Sequence, residues 1–239
     1  MTTGSLSDEV IIQRAYYSRT APQYDSMHVS VEAEHEFALA FMASMIGFLD
    51  IRSVLDIGSG TGRAPLTLKA MYPNHRVTGV EPSRELREVG YGKGLTQNEL
   101  IDGDAQRLAF ADGAFDLLCE FGALHHIPDP GKAVSEMLRV SSKAIFISDC
   151  NNFGQGGFLM RTVKQTLRTL RLWSFADFVK TRGKGYIVSE GDGLAYSYSV
   201  FTDYRQIWRR CRSVHLVNTT PAGMNLYRTA SHVALLGIK

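Results

Sequence analysis

No stretch of the 239 residues stays apolar for the roughly eighteen positions a membrane-spanning helix needs, so no membrane span is expected. Cysteine is scarce. Cys119, Cys150 and Cys211 stand far apart, without a C-x-x-C pair or the Cys/His spacing of a zinc site, which argues against a disulfide framework and a structural metal. A reducing, cytoplasmic home is the simpler expectation. Charge of one sign is also missing: a net +2 gives no concentrated basic surface, and no nucleic-acid partner is expected. Met1 to Glu9 is polar and acidic rather than basic and then apolar, so no secretory leader is read there. With 44% apolar residues, the length suits one α/β core with an appended cap and is too short for two catalytic domains.

What is present is a strand, a glycine turn and a helix in succession: Val54-Leu55-Asp56-Ile57, then Gly58-Ser59-Gly60-Thr61-Gly62, then Arg63 to Met71. Glycines allow positive φ and close approach of a ligand, and a helix start offers unpaired N–H groups to polar or anionic ligands. The dinucleotide fingerprint G-x-G-x-x-G is not met, because the third glycine falls at Gly62 and Arg63 stands where that pattern wants a small residue. An NAD-dependent oxidoreductase is therefore a weaker reading. A second strand closes in Glu81-Pro82-Ser83, about twenty residues on, where a carboxylate at a strand end can accept from both hydroxyls of a ribose. The alternative for Glu81, capping of the next helix, is weakened by Ser83, which can cap that helix itself.

The acidic strand end with its G-x-G-x-G turn resembles the first motif of the class I S-adenosylmethionine-dependent methyltransferases, in particular the small-molecule, type 11-like branch. The later motifs extend the resemblance. Glu99 to Ala105 reads as a third strand running into a turn, and the family places an acidic residue at the position of Asp104 for the adenine amino group, with the Ala105 N–H beside it. Asp102 is the less favoured partner. Phe115 to Glu120 is a fourth strand, followed by Leu124-His125-His126-Ile127-Pro128-Asp129, which is similar to the L-H-H-[VI]-x-D segment of that branch. The run Tyr16 to Asp25 resembles the N-terminal segment that folds over the methionine end of the cofactor, which nominates Tyr17 and Tyr24; aromatic packing on the core is the plain alternative.

The resemblance implies a doubly wound, mostly parallel seven-stranded sheet, closed by an antiparallel C-terminal hairpin built from Val214-His215-Leu216-Val217 and His232 to Leu236. It implies S-adenosyl-L-methionine as cofactor, held by Tyr17, Tyr24, Asp56, Gly58, Ser59, Gly60, Gly62, Glu81, Pro82, Asp104, Ala105 and Glu120. The expected organisation is one domain over 1–239: N-terminal helices over 1–50, a cofactor-binding core over 51–150, a cap or acceptor insertion after the fifth strand over 151–203, and a C-terminal helix and hairpin over 204–239. Glu32 to Asp50 has the spacing of a helix packed through Phe37, Ala40, Phe41, Met45 and Phe48, with no chemical role. In the cap, Phe158 to Trp173 fits an amphipathic helix with Met160, Val163, Leu167 and Leu170 on one side and four cations beside them. The ordinary reading is a solvated basic face above a core stripe; the functional one is attraction of an anionic acceptor or a membrane surface.

The expected reaction is methyl transfer to a small-molecule acceptor, with O-methylation of a hydroxyl on a sugar or natural-product intermediate as the favoured form. His126 is the leading general base, with His125 and Asp149 as the other candidates, because imidazole titrates near neutrality. No metal is expected, although Asp149 with Asn151 or Asn152 would offer oxygen ligands. N- or C-methylation is the runner-up, and a cofactor-binding module without catalysis is the alternative of another class. Oligomeric state is not legible.

Overall fold

The structure, a computed structural model, describes residues 8–29, 33–221 and 223–239. Glu32, the expected start of the helix read over Glu32 to Asp50, lies outside the described residues. Helix α1 (Asp8–Thr20) runs through short 3-10 and π turns to Val29, and α2 (Ala33–Phe48) follows. Then strands and helices alternate: β1 (Ser53–Ile57), α3 (Arg63–Met71), β2 (Arg76–Val80), α4 (Arg84–Gly92), β3 (Leu100–Ile101), β4 (Phe115–Phe121), α5 (Pro130–Val140) and β5 (Ser141–Cys150). After β5 come α6 (Phe158–Thr169), α7 (Trp173–Lys180), the hairpin β6 (Tyr186–Ser189) and β7 (Gly193–Tyr196), α8 (Tyr204–Arg210), β8 (Ser213–Asn218) and β9 (His232–Ile238).

The main sheet has seven strands in the order β3-β2-β1-β4-β5-β9-β8. The first five pair in parallel, and β9 is antiparallel to both of its neighbours. Strands covered on both faces read as continuous apolar runs, and β1, β4 and β5 do so because helices pack on either side. One layer joins Leu55, Leu118 and Ile145 to Met137 of α5; the other joins Val54, Leu117 and Phe146 to Met42 of α2 and Leu68 of α3. Strand order reverses between β1 and β4, and the crevice above their C-terminal ends is the place such sheets hold ligands.

Two expectations fail, both on helix faces. The buried side of α2 is Ala38, Leu39, Met42, Ala43 and Ile46; of the expected residues Phe41 and Met45 pack partly against this core, whereas Phe37, Ala40 and Phe48 are exposed. The helix is apolar nearly all round, so periodicity alone does not select the inward side. In the cap, the single expected helix is two, broken at Leu170 to Leu172, where Arg171 takes a φ of 60°. Its apolar stripe is not core: Met160, Val163 and Leu170 are exposed, and neither α6 nor α7 buries a single residue fully. The polar side faces inward instead. Lys164 donates to the carbonyl and side-chain oxygens of Asn152, Gln165 to the carbonyls of Phe153 and Arg228, and Arg168 stacks 4.2 Å over the Phe153 ring.

Candidate active site

The glycine turn is tied down by its own amides. Gly58 and Ser59 donate to the Val80 carbonyl at the end of β2, Gly62 donates to Ser59, and Gly60 donates to Glu81 Oε2 at 2.9 Å. These N–H groups are therefore not the free donors that the motif alone suggests. A pyrophosphate would need them, so the turn suits a nucleoside without phosphates. The glycines serve close packing: a Cβ on Gly58 (φ 68°) would lie 2.3 Å from that of Ala123, one on Gly62 would lie 2.2 Å from Leu95, and Gly60 is covered by the Tyr24 ring.

Above the turn lies a cavity of about 140 Å³ that gathers Tyr17, Tyr24, Gly58, Glu81, Pro82, Asp104, Ala105 and His126 from the expected site residues. Gly122 and Ala123 of the loop after β4 complete the side facing the turn. Val80, Leu86 and Ile127 supply apolar walls. Glu81 is buried at the end of β2, and its two oxygens accept from the Gly60 and Ser83 amides, which leaves further lone pairs for ligand hydroxyls. Burial, opposed by those hydrogen bonds, raises its pKa to about 7. Ser83 caps α4 with its own hydroxyl, as expected, receiving the Leu86 N–H. Asp104 lines the cavity and accepts from the Gln106 N–H, while Asp102 is held outside it by Arg87 at 2.7 Å. Tyr17 and Tyr24 meet edge to face across 6.0 Å. A carboxylate, a polar rim, apolar walls and aromatic rings fit an adenosine with an attached methionine.

Asp56, Ser59, Gly60, Gly62 and Glu120 are not among the lining residues. Asp56 is buried beneath the turn beside Cys119, and burial lifts its pKa to about 6. Glu120 is wholly buried; Oε2 accepts from the Ala123 N–H, and burial with the neighbouring Asp149 charge raises its pKa well above the carboxylate range. Through Oε2 it anchors the loop after β4.

That loop carries the histidines, and its two members point to different partners. Asp149, at 0% exposure on β5, accepts from the Leu124 and His125 amides and holds His125 Nδ1 at 2.7 Å. Burial opposes its ionisation, yet the imidazole beside it brings its pKa down to about 2. Burial likewise disfavours charge on His125, but Asp149 and Asp192 outweigh it and raise the imidazole well above its ordinary value. His126 Nδ1 lies 2.6 Å from the Leu194 carbonyl, so that nitrogen carries the proton. The far ring nitrogens of the two histidines face Asp192, at 3.6 Å from His125 and 3.4 Å from His126.

Asp192 lies between glycines in the β6–β7 turn and belongs to none of the sequence motifs. His35 likewise belongs to none: it sits on α2, assigned to packing alone, with its ring against Gly122 and Nδ1 3.3 Å from Ser148 Oγ. A larger cavity of about 490 Å³ opens on the far side of the histidine loop, lined in part by Glu34, His35, His125, Asn152, Lys180 and Asp192. A neck of about 40 Å³, formed by Tyr17, Tyr24, His35, His125, His126 and Asp192, lies between the two cavities. His125 belongs to the neck and the larger cavity, His126 to the neck and the smaller one.

Among the described residues, His125, His126 and Asp192 bring one ligand-type atom each within 4.8 Å, as do His125, Asp149 and Cys150. The oxygen set that sequence offered as an alternative to no metal is engaged elsewhere: Asn151 Oδ1 accepts from the Ser199 hydroxyl, and Asn152 Oδ1 accepts from Lys164 Nζ. No helix among the described residues is long and apolar enough to cross a membrane.

Residues 55–145, which carry the switch point between β1 and β4, match the family model described as a methyltransferase domain, so that stretch is the cofactor domain of a class I, S-adenosylmethionine-dependent methyltransferase. The matching model is that of the type 11 branch. A demethylmenaquinone methyltransferase of Staphylococcus aureus strain JH9 is 32% identical over 129 residues, 52% of this chain and 53% of the relative. The chain thus spans about half the length of the curated relatives it matches. Among solved structures, magnesium protoporphyrin IX methyltransferase from Synechocystis PCC 6803 with bound SAH is similar over 97% of this chain and 100% of that one, with TM-score 0.62 and 16% identity. A possible histamine N-methyltransferase from Thermotoga maritima is similar over 94% and 99%, with TM-score 0.57 and 19% identity. These likenesses concern the fold.

Proposed function

We propose that this chain transfers a methyl group from S-adenosylmethionine to a hydroxyl of a small-molecule acceptor, a sugar or natural-product intermediate, held in the larger cavity. The single observation that carries this reading is the neck: the smaller cavity, with Glu81 and Asp104 on its wall, shares Tyr17, Tyr24 and His126 with it, and the larger cavity of ligand size shares His125 and Asp192. The cofactor supplies an electrophilic methyl on sulfur, and the chain's work is to align an acceptor oxygen with it. Such alignment is worth roughly 7–11 kcal/mol of the barrier.

In this reading Glu81 takes the ribose hydroxyls, Asp104 and the Ala105 N–H take the adenine edge, and Tyr17 and Tyr24 close over the methionine end. His125 is favoured over His126 as general base. It reaches the larger cavity, and Asp149 fixes its Nδ1–H, leaving Nε2 beside Asp192 at the neck, whereas His126 is bonded to Leu194 and lies on the cofactor side. Tyr186, Tyr196 and Tyr198 line the larger cavity and suit a ring, while Lys180 and the acidic and amide groups suit a hydroxylated or anionic one. The test is mass spectrometry of metabolite extracts incubated with the protein and cofactor, looking for species heavier by one methyl group. His125→Ala should lower turnover by about 10²–10⁴-fold with adenosylhomocysteine affinity retained, and His126→Ala should cost less. Full activity of the His125 variant overturns the base assignment and favours N- or C-methylation; absence of any methylated species, with the cofactor still bound, favours a binding module.

A further inference from the structure

Helices α6 and α7 are built inside out. Three polar side chains of α6, Lys164, Gln165 and Arg168, turn toward the body of the protein and bond there. The opposite side presents Leu159 (75% exposed), Met160 and Val163, and α7 adds Phe175 (70% exposed), Phe178 and Val179. A helix on a water-facing surface does the reverse, since exposing its apolar stripe forfeits the burial that stabilises it. The exposed side chains on two successive helices form an apolar surface of the kind that marks an interaction site.

Charge selects the partner. Residues 158–184 carry seven cations against one carboxylate, Asp177, while the whole chain has a formal net charge of only +2, so the remainder is net acidic. Four of those cations, Arg171, Lys180, Arg182 and Lys184, are exposed around the ends of α7. An apolar helix face rimmed by free cations is the design of an element that lies in the headgroup layer of an anionic bilayer. The face also continues into the site: Lys180 and Ile187, beside Val179 and Val188 of the same surface, line the larger cavity.

We propose that the α6–α7 face docks on an anionic phospholipid surface, placing the larger cavity next to the bilayer. The inference stands on the exposed face and its charge and does not require the methyl-transfer reading. The test is flotation of the full chain with vesicles of phosphatidylcholine alone and with phosphatidylglycerol added. The expected result is binding to the anionic vesicles only, abolished by Leu159→Ser with Phe175→Ser and weakened by at least about thirtyfold by Arg171→Glu with Lys184→Glu. Because all four side chains are exposed, the variants should melt as the wild type does. Equal binding to neutral vesicles, no binding to either, or unchanged binding by the apolar variant overturns the proposal. So does light scattering that shows a dimer which the apolar variant dissolves while vesicles are ignored, because the face would then belong to a second copy.

Discussion

Asp192→Asn gives the sharpest view of the histidine network. Asp192 lies 3.6 Å from His125 Nε2, and its side chain is 46% exposed. Two unit charges at that distance interact by about 1 kcal/mol in the dielectric of water and about 5 kcal/mol at an effective constant of 20. Half-exposure puts the pair nearer the screened end, at about 1–2 kcal/mol, or about one pH unit on the His125 titration. The sign is set by charge: the anion favours imidazolium, so its removal lowers the His125 pKa. Asp149 remains and keeps it above the ordinary value. Ring-nitrogen NMR of labelled histidine in wild type and variant measures the shift directly, without an acceptor. The kinetic counterpart is a downward move of the acid limb of kcat/KM by the same amount, so below that limb the variant outpaces the wild type. Loss of structure would not produce a gain. A His125 titration that stays in place, or moves upward, refutes the network as described.

Glu81→Ala should weaken adenosylhomocysteine binding at least about tenfold by calorimetry, since hydrogen bonds to a charged group are worth about 1.5–3 kcal/mol each; unchanged affinity in a folded variant removes Glu81 from the ribose. The raised pKa values of Glu81, about 7, and Asp56, about 6, mean that the folded state without cofactor holds protons the unfolded chain has released. Their stability contribution is present at acid pH and is lost as pH climbs from the ordinary carboxylate range toward 7, so melting temperature should fall across that window. Glu81→Gln should flatten the upper part of that fall, and an unaltered slope would contradict the burial of a protonated Glu81. Gly58→Ala places a Cβ 2.3 Å from that of Ala123 at a φ of 68° and should cost about 1–3 kcal/mol in chemical denaturation, with cofactor binding impaired; a neutral substitution would mean that the two loops are not in contact.

The cofactor half was legible because its signals are local. A glycine turn between strand and helix, a carboxylate at the next strand end and an acid after the third strand each follow from a few neighbouring residues, and the fold brings Glu81 and Asp104 to one cavity. The fate of the turn's amides was not legible, because their acceptors are Val80 and Glu81, one crossover away. Asp192 was not legible because it reaches His125 across a sequence gap of 67 residues, from a turn that carries no motif. Helix faces misled for a different physical reason: α2 is apolar on both sides, and α6 inverts the rule that apolar means inward. Periodicity reports that a helix has two sides and is silent on which side meets the protein.

Leu194 is held twice, its N–H donating to the Gln13 side chain on α1 and its carbonyl accepting from His126. Helix α1 also carries Tyr17, one wall of the smaller cavity, and β7 follows directly on Asp192, a wall of the neck. Lifting α1 to exchange cofactor would therefore pull on the strand beside the acceptor cavity, coupling the two compartments. In kinetic terms that coupling predicts compulsory order, with cofactor entering first and the spent cofactor leaving last, which product-inhibition patterns check.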